Sequence, residues 1–212
     1  TETAFSDAGR GRIPNFNLVF KTNLLEGRTF NYHKQYVRSY KHNIPNHYVL
    51  GYHMVSYLRK KTGNPEVWGD IAKRSWNVPF IPFAFSHAIK KETGMNVNEL
   101  YREMAGELKQ EWQAQIAALS LTSYEQVNQR KGKAYTDYSY PQVMPDGSVA
   151  VIKSGIGNIA EIVLIYPDGK EKKVHTLGPL NESGMFSATQ NKLVWNEFRY
   201  DPRWQVKTYS MI

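Results

Sequence analysis

Residues 146–212 nearly repeat themselves at a spacing of 44. Asp146-Gly147-Ser148-Val149-Ala150-Val151-Ile152 falls on Gln190-Asn191-Lys192-Leu193-Val194-Trp195-Asn196, and Ala160-Glu161-Ile162-Val163-Leu164 falls on Trp204-Gln205-Val206-Lys207-Thr208. A turn, a strand, a loop and another strand therefore occur twice. A period of about 40–45 residues suits one blade of a β-propeller, and roughly four to eight blades are needed to close the ring. Fewer than two fit in this chain, so the repeat predicts about two incomplete antiparallel blades and a chain that is a piece of something longer.

The punctuation inside the repeat has a mechanism. In Pro145-Asp146-Gly147 and Pro167-Asp168-Gly169 the proline presets φ and the glycine accepts positive φ. Strands are expected at Val149–Lys153, Glu161–Tyr166 and Lys170–Leu177, then again at Lys192–Phe198 and Gln205–Tyr209. Two blades alone should be poorly stable, because each repeat buries its apolar face on its neighbours. The exposed edge at Gln205–Tyr209 is then expected to pair with a second copy, as a homodimer.

Upstream the periodicity is helical. Pro14 suits a first helical turn, and the helix runs to Leu25 before Gly27, with Phe16, Val19, Phe20 and Leu24 on its apolar side. A polar stretch, Asn31 to Asn46, follows. The clearest helix spans Asn46 to Thr62 and stops at Gly63 and Pro65. Tyr48, Gly51, Tyr52, Val55 and Leu58 share one face, which Leu50, Met54 and Tyr57 widen. Only His53, Ser56 and Lys60 are left on a polar arc, so the helix reads as largely buried and Tyr48 as a core tyrosine. Glu66–Trp76 and Phe83–Thr93 are shorter helices on either side of Pro79 and Pro82. Asn96 with Glu99 is a capping-box start for a helix carrying Leu100, Met104, Leu108 and Trp112 as far as about Leu119. Residues 128–137 have linker composition. The fold class is thus α+β: an all-α helical region over residues 1–135, then propeller-like antiparallel blades over 136–212.

Composition removes several chemistries. Without cysteine there is no disulfide, thiolate metal site or cysteine nucleophile. No segment approaches 18 consecutive apolar residues, so no transmembrane segment is expected. The chain opens on Thr1 with neither an initiator Met nor a signal peptide. Its net charge of +8 belongs wholly to residues 1–136, with 19 Lys/Arg against 11 Asp/Glu, whereas residues 137–212 hold 8 of each. Arg59-Lys60-Lys61 precedes Gly63, and Lys90-Lys91 precedes Gly94. Cations there offset the helix dipole, so the excess does not imply nucleic acid, and no nucleic-acid motif accompanies it. His-Glu-x-x-His, Gly-x-Ser-x-Gly, Walker and dinucleotide-glycine motifs are all missing. The six histidines (33, 42, 47, 53, 87 and 175) are scattered, and the six-residue step from His47 to His53 is wrong for chelating one ion from a helix.

One run carries a resemblance. Tyr48-Val49-Leu50-Gly51-Tyr52-His53-Met54-Val55-Ser56-Tyr57-Leu58 is similar to the Tyr-x-x-Gly helix of gluzincin zinc metallopeptidases, most recognisably the aminopeptidase-N-like ones. The order that follows also looks like theirs: Trp76 near a proline-broken bend, a helix ending Thr93-Gly94, and a capped helix after Asn96. Thr1-Glu2-Thr3-Ala4 followed by Gly9-Arg10-Gly11-Arg12 resembles the type in which this peptidase region precedes a TolB-like propeller. The resemblance covers residues 1–115 and 138–212.

It implies a hydrolase in the full-length parent that cleaves peptide or protein substrates with a zinc-activated water. Tyr48 would be its catalytic oxyanion donor, Gly51 a point of close packing against the zinc-bearing helix, and Glu2 a residue near the metal. It also implies export to the periplasm or cell surface. Both histidine ligands, the general-base glutamate and the ligand glutamate are absent from this chain, so no metal cofactor and no activity are expected of it alone. The alternative is a non-catalytic propeller-based binding or scaffold protein with a protein ligand.

Overall fold

A computed structural model of the chain describes residues 9–39, 41–128, 132, 134–177, 186–190, 192–196, 198–200 and 209–211, with side chains described up to residue 196. The chain divides into two compact units, one holding the helices up to residue 121 and one holding the strands from residue 122 onward. Its class is mixed α+β, with helices first and antiparallel strands after.

In the helical unit a 3-10 turn, Arg10–Arg12, leads into six helices: α1 Pro14–Leu25, α2 Tyr32–Val37, α3 His47–Thr62, α4 Val67–Trp76, α5 Ala84–Thr93 and α6 Val97–Ala117. Their ends follow from local chemistry. The Asn46 side chain accepts from the Tyr48 and Val49 amides at 3.0 and 3.2 Å and so starts α3. Gly63, at φ +65°, closes it with an amide bond to the Arg59 carbonyl. Asn96 and Glu99 form the reciprocal capping box that opens α6.

The long α6 is the spine against which α1, α2 and α3 pack, and α4 and α5 pair with each other. Phe20, Leu24, Leu58, Val67, Ile71, Ile89, Leu100 and Met104 are all buried in one core. Each large side chain removed from water contributes about 1.5–3 kcal/mol.

Two features depart from the sequence expectation. The polar stretch after Asn31 contains α2, because the Asn31 side chain accepts from the Lys34 amide and caps a turn too short to show periodicity. On α3 the buried set is Val49, Leu50, His53, Met54, Tyr57 and Leu58. His53 therefore points inward and Tyr48 outward, the reverse of the expected faces. The helix is apolar nearly all round, so its period does not select a face. A hydrogen bond makes room for the histidine instead.

Tyr57 anchors α3 to α6. Its hydroxyl lies 2.7 Å from Glu103 Oε1 and 2.8 Å from Glu107 Oε1, with Lys61 paired to Glu103 and Lys60 to Glu107. One phenol hydrogen serves one carboxylate at a time, and the lysines hold the charge of both. Lys61 and then Tyr57 keep the Glu103 carboxyl below its ordinary range, and Lys60 and Tyr57 do the same for Glu107.

The second unit begins with a four-stranded antiparallel meander, β1 Thr136–Val143, β2 Val149–Gly155, β3 Asn158–Ile165 and β4 Glu171–Thr176, in the order β1-β2-β3-β4. β5 Phe186–Ala188 pairs with β6 Leu193–Trp195, and β7 Phe198–Tyr200 with β8 Tyr209–Met211. β1 overlaps the end of the expected linker. Pro141 and a register break between Ser139 and Gln142, with Tyr140 at φ +55°, disguise it as loop. An edge position tolerates both the missing amide and the bulge.

The sheet is apolar on both faces. Ala150, Ile152 and Ile162 pack with Leu177 and Phe186 on one side, and Val151, Val163 and Ile165 lie on the other. Val143 faces Val149 in the first hairpin and Ala188 faces Leu193 in the second, one residue from the register that a spacing of 44 dictates; the expected strand Lys192–Phe198 is not continuous, since β6 and β7 lie in different sheets, and residues 204–208 of the repeat lie outside the described residues. Of the expected dimer edge Gln205–Tyr209, residues 205–208 lie outside the described residues, and Tyr209 begins β8 opposite Tyr200. No described helix is long and apolar enough to cross a membrane.

Candidate functional site

Tyr48 opens the first turn of α3, and its side chain is 60% exposed. It lines a cleft of about 440 Å³ with Arg10, Phe16, His47, Gly51, Tyr52, Val55, Ser56, Arg59 and Trp68. Two guanidinium groups are among these residues and no carboxylate is. The Tyr48 hydroxyl makes no hydrogen bond to another described residue. The Arg10 guanidinium stands 5.7 Å from the centre of its ring, a cation–π contact of about 0.5–1 kcal/mol at an exposed position. The Ser56 hydroxyl is buried in the wall without a partner among the described residues.

A second cleft of about 420 Å³ adjoins the first and shares His47, Gly51, Val55 and Trp68 with it. Tyr32, Tyr36 and Phe85 make it aromatic, with Trp68 and Phe85 meeting edge to face at 5.4 Å. Gly51 is the floor where the two meet. A methyl group built there touches nothing within 4 Å. A glycine inside a helix costs about 0.5–1 kcal/mol relative to alanine, and no close contact among the described residues offsets that cost.

The turn bearing Arg10 is tied to the core. Gly11 lies so close to Tyr52 that a Cβ would be 2.6 Å from its ring. The Asn17 amide donates to the Gly11 carbonyl at 3.3 Å, and its oxygen lies 3.0 Å from His53 Nε2. Because the Asn17 nitrogen faces Gly11, its oxygen accepts from His53, which fixes a neutral imidazole with hydrogen on Nε2. Phe20, Tyr52 and Trp112 ring the same imidazole with their ring centres 5.0–5.6 Å from it. Burial pushes its pKa down to about 4.

Of the residues singled out by sequence, Tyr48 and Gly51 share a cleft and Glu2 lies outside the described residues. His53 is a core residue, His47 lines both clefts, His33 touches Asn98 at 3.2 Å, and His175 stacks near Trp195 at 5.0 Å. Among the described residues no three His, Asp or Glu side chains come together as a metal-holding group. Arg10 and Trp68 are the site residues that sequence reasoning missed. Arg10 reads as part of a flexible Gly-Arg-Gly-Arg loop, and only the steric demand of Gly11 against Tyr52 reveals that this turn is held. Compared with family models, curated proteins and solved structures, the chain matches none of them.

Proposed function

We propose that this chain is part of a gluzincin-like metallopeptidase with a C-terminal TolB-like propeller, exported by its cell, and that it supplies one wall of the substrate cleft but is inactive alone. The observation that carries this reading is Tyr48: an exposed phenol whose hydroxyl has no partner among the described residues, held on the wall of a cleft beneath Arg10. A donor so placed suits an oxygen that gains negative charge as a peptide carbonyl becomes tetrahedral. Such a bond strengthens in the transition state and so accelerates the step. The zinc ligands belong, on this reading, to another part of the parent protein. The apolar faces of the β1–β4 sheet, one of them covered by Phe186, Leu193 and Trp195, support its reading as a blade packed on a neighbour.

The test is peptide hydrolysis by the full-length protein and its Tyr48→Phe variant. A large loss of rate supports the proposal, and equal rates remove Tyr48 from the chemistry.

A specific observation favours a second reading, a non-catalytic binding or scaffold protein. Pro79 and Pro82 hold the α4–α5 connection out of helix and leave Trp76, Phe80 and Phe83 at 85, 95 and 76% exposed. Apolar surface of this kind marks interaction sites. Full-length protein with no peptidase activity, but with a partner lost on Phe80→Ser substitution, would favour this reading.

A further inference from the structure

We propose that Arg10 holds the carboxylate of an anionic peptide in the Tyr48 cleft, while an apolar side chain of that peptide crosses Gly51 into the adjoining aromatic cleft. The inference rests on the peptidase reading and names the class of substrate for the same site.

Four observations carry it. The Tyr48 cleft is lined by Arg10 and Arg59 and by no acidic side chain, so an anion entering it meets no repulsion from its walls. Arg59 is partly committed, since its Nε donates to the Pro65 carbonyl at 2.8 Å. Arg10 makes its contact with the Tyr48 ring face, which leaves the in-plane N–H fork available to a carboxylate. Its turn is fixed at two points, by Gly11 against the Tyr52 ring and by the bond from Asn17 to the Gly11 carbonyl, with Asn17 in turn held by His53. A cation held this way loses less freedom on binding than one on a loose loop.

The neighbouring cleft sets the other half of the specificity. Its lining of Tyr32, Tyr36, Leu50, Met54, Trp68 and Phe85 carries no formal charge, which suits a leucine- or phenylalanine-sized side chain. The two clefts share His47, Gly51, Val55 and Trp68, and at Gly51 α3 projects no side chain between them.

A carboxylate of this kind comes either from a peptide C-terminus or from an acidic side chain, and three probes separate the sources. The 212-residue chain is titrated with acetyl-Leu-Phe carrying a free carboxylate, with the same peptide amidated, and with acetyl-Asp-Leu-Phe-amide, and binding is followed by chemical shifts. The proposal expects at least one carboxylate peptide to bind roughly five- to tenfold tighter than the amide, the size of one charge-assisted bond at a partly exposed site. That preference falls as salt is added. Arg10→Gln abolishes it without changing affinity for the amide, Arg10→Lys keeps part of it, and Gly51→Leu weakens all three peptides. Equal binding of acids and amide, a preference that survives Arg10→Gln, or no binding of any probe overturns the proposal. Equal binding of acids and amide, while the full-length Tyr48→Phe variant has lost its peptidase activity, condemns only this inference; an acid preference carried by Arg10, while that full-length variant keeps full activity, condemns only the peptidase reading.

Discussion

Acidifying the chain from about pH 7.5 to about pH 4.5 destabilises its helical unit by roughly 2–3 kcal/mol through His53 alone. In the unfolded chain the imidazole takes up a proton as pH falls through roughly 6.5. In the folded chain it is 8% exposed, packed among aromatic rings, and stays neutral until about 4. Between those values the unfolded state binds more protons, so stability falls with pH; below about 4 both states are protonated and the loss is complete. The separation of the two values, at about 1.4 kcal/mol per unit, sets the size of the effect. The assay is urea unfolding at both pH values, followed by helical circular dichroism. Carboxylates also respond to acid, so the His53→Gln variant serves as the reference: its amide has a donor for Asn17 but does not titrate. The wild type should lose roughly 2–3 kcal/mol more than the variant over this range. Equal losses would refute the buried, neutral His53 and with it the tether that fixes the Arg10 turn.

Three further outcomes follow from the packing. Gly51→Ala, whose methyl meets nothing within 4 Å, raises stability by about 0.5–1 kcal/mol in the same urea assay. Tyr57→Phe removes the hydroxyl between Glu103 and Glu107 and costs about 1 kcal/mol near neutral pH, read from the shift in urea midpoint. In the sheet, a Cβ at Gly155 would fall 2.4 Å from the Tyr135 carbonyl oxygen; Gly155→Ala therefore costs roughly 1–3 kcal/mol, seen as lost hydrogen-exchange protection in β2 and β3.

What the sequence reveals depends on how local the cause is. The helix ends at Asn46, Gly63, Asn96 and Leu25 and the two Pro-Asp-Gly turns are legible, because capping and turn chemistry act within a few residues. The turns at Asp146-Gly147 and at residues 189–192 each join two antiparallel strands, β1–β2 and β5–β6. The burial of α3 is not legible in the same way. With apolar residues on most sides, the helix takes its orientation from partners on other helices: Asn17 for His53, and Glu103 and Glu107 for Tyr57. Those pairs lie 36, 46 and 50 positions apart. The same rotation turns Tyr48 out of the core and onto the cleft. β1 is hidden for a different reason, since Pro141 and the bulge beside it cancel its β-forming Thr, Tyr and Val residues. Nothing local in Gly-Arg-Gly-Arg shows that Arg10 is held in place.

The most direct measurement is the steady-state peptidase kinetics of the full-length protein beside its Tyr48→Phe variant. If the phenol donates to the developing oxyanion, kcat falls by about 10²–10³-fold while KM stays near its original value. Unchanged kcat in the variant, with a folded chain confirmed by circular dichroism, contradicts the account.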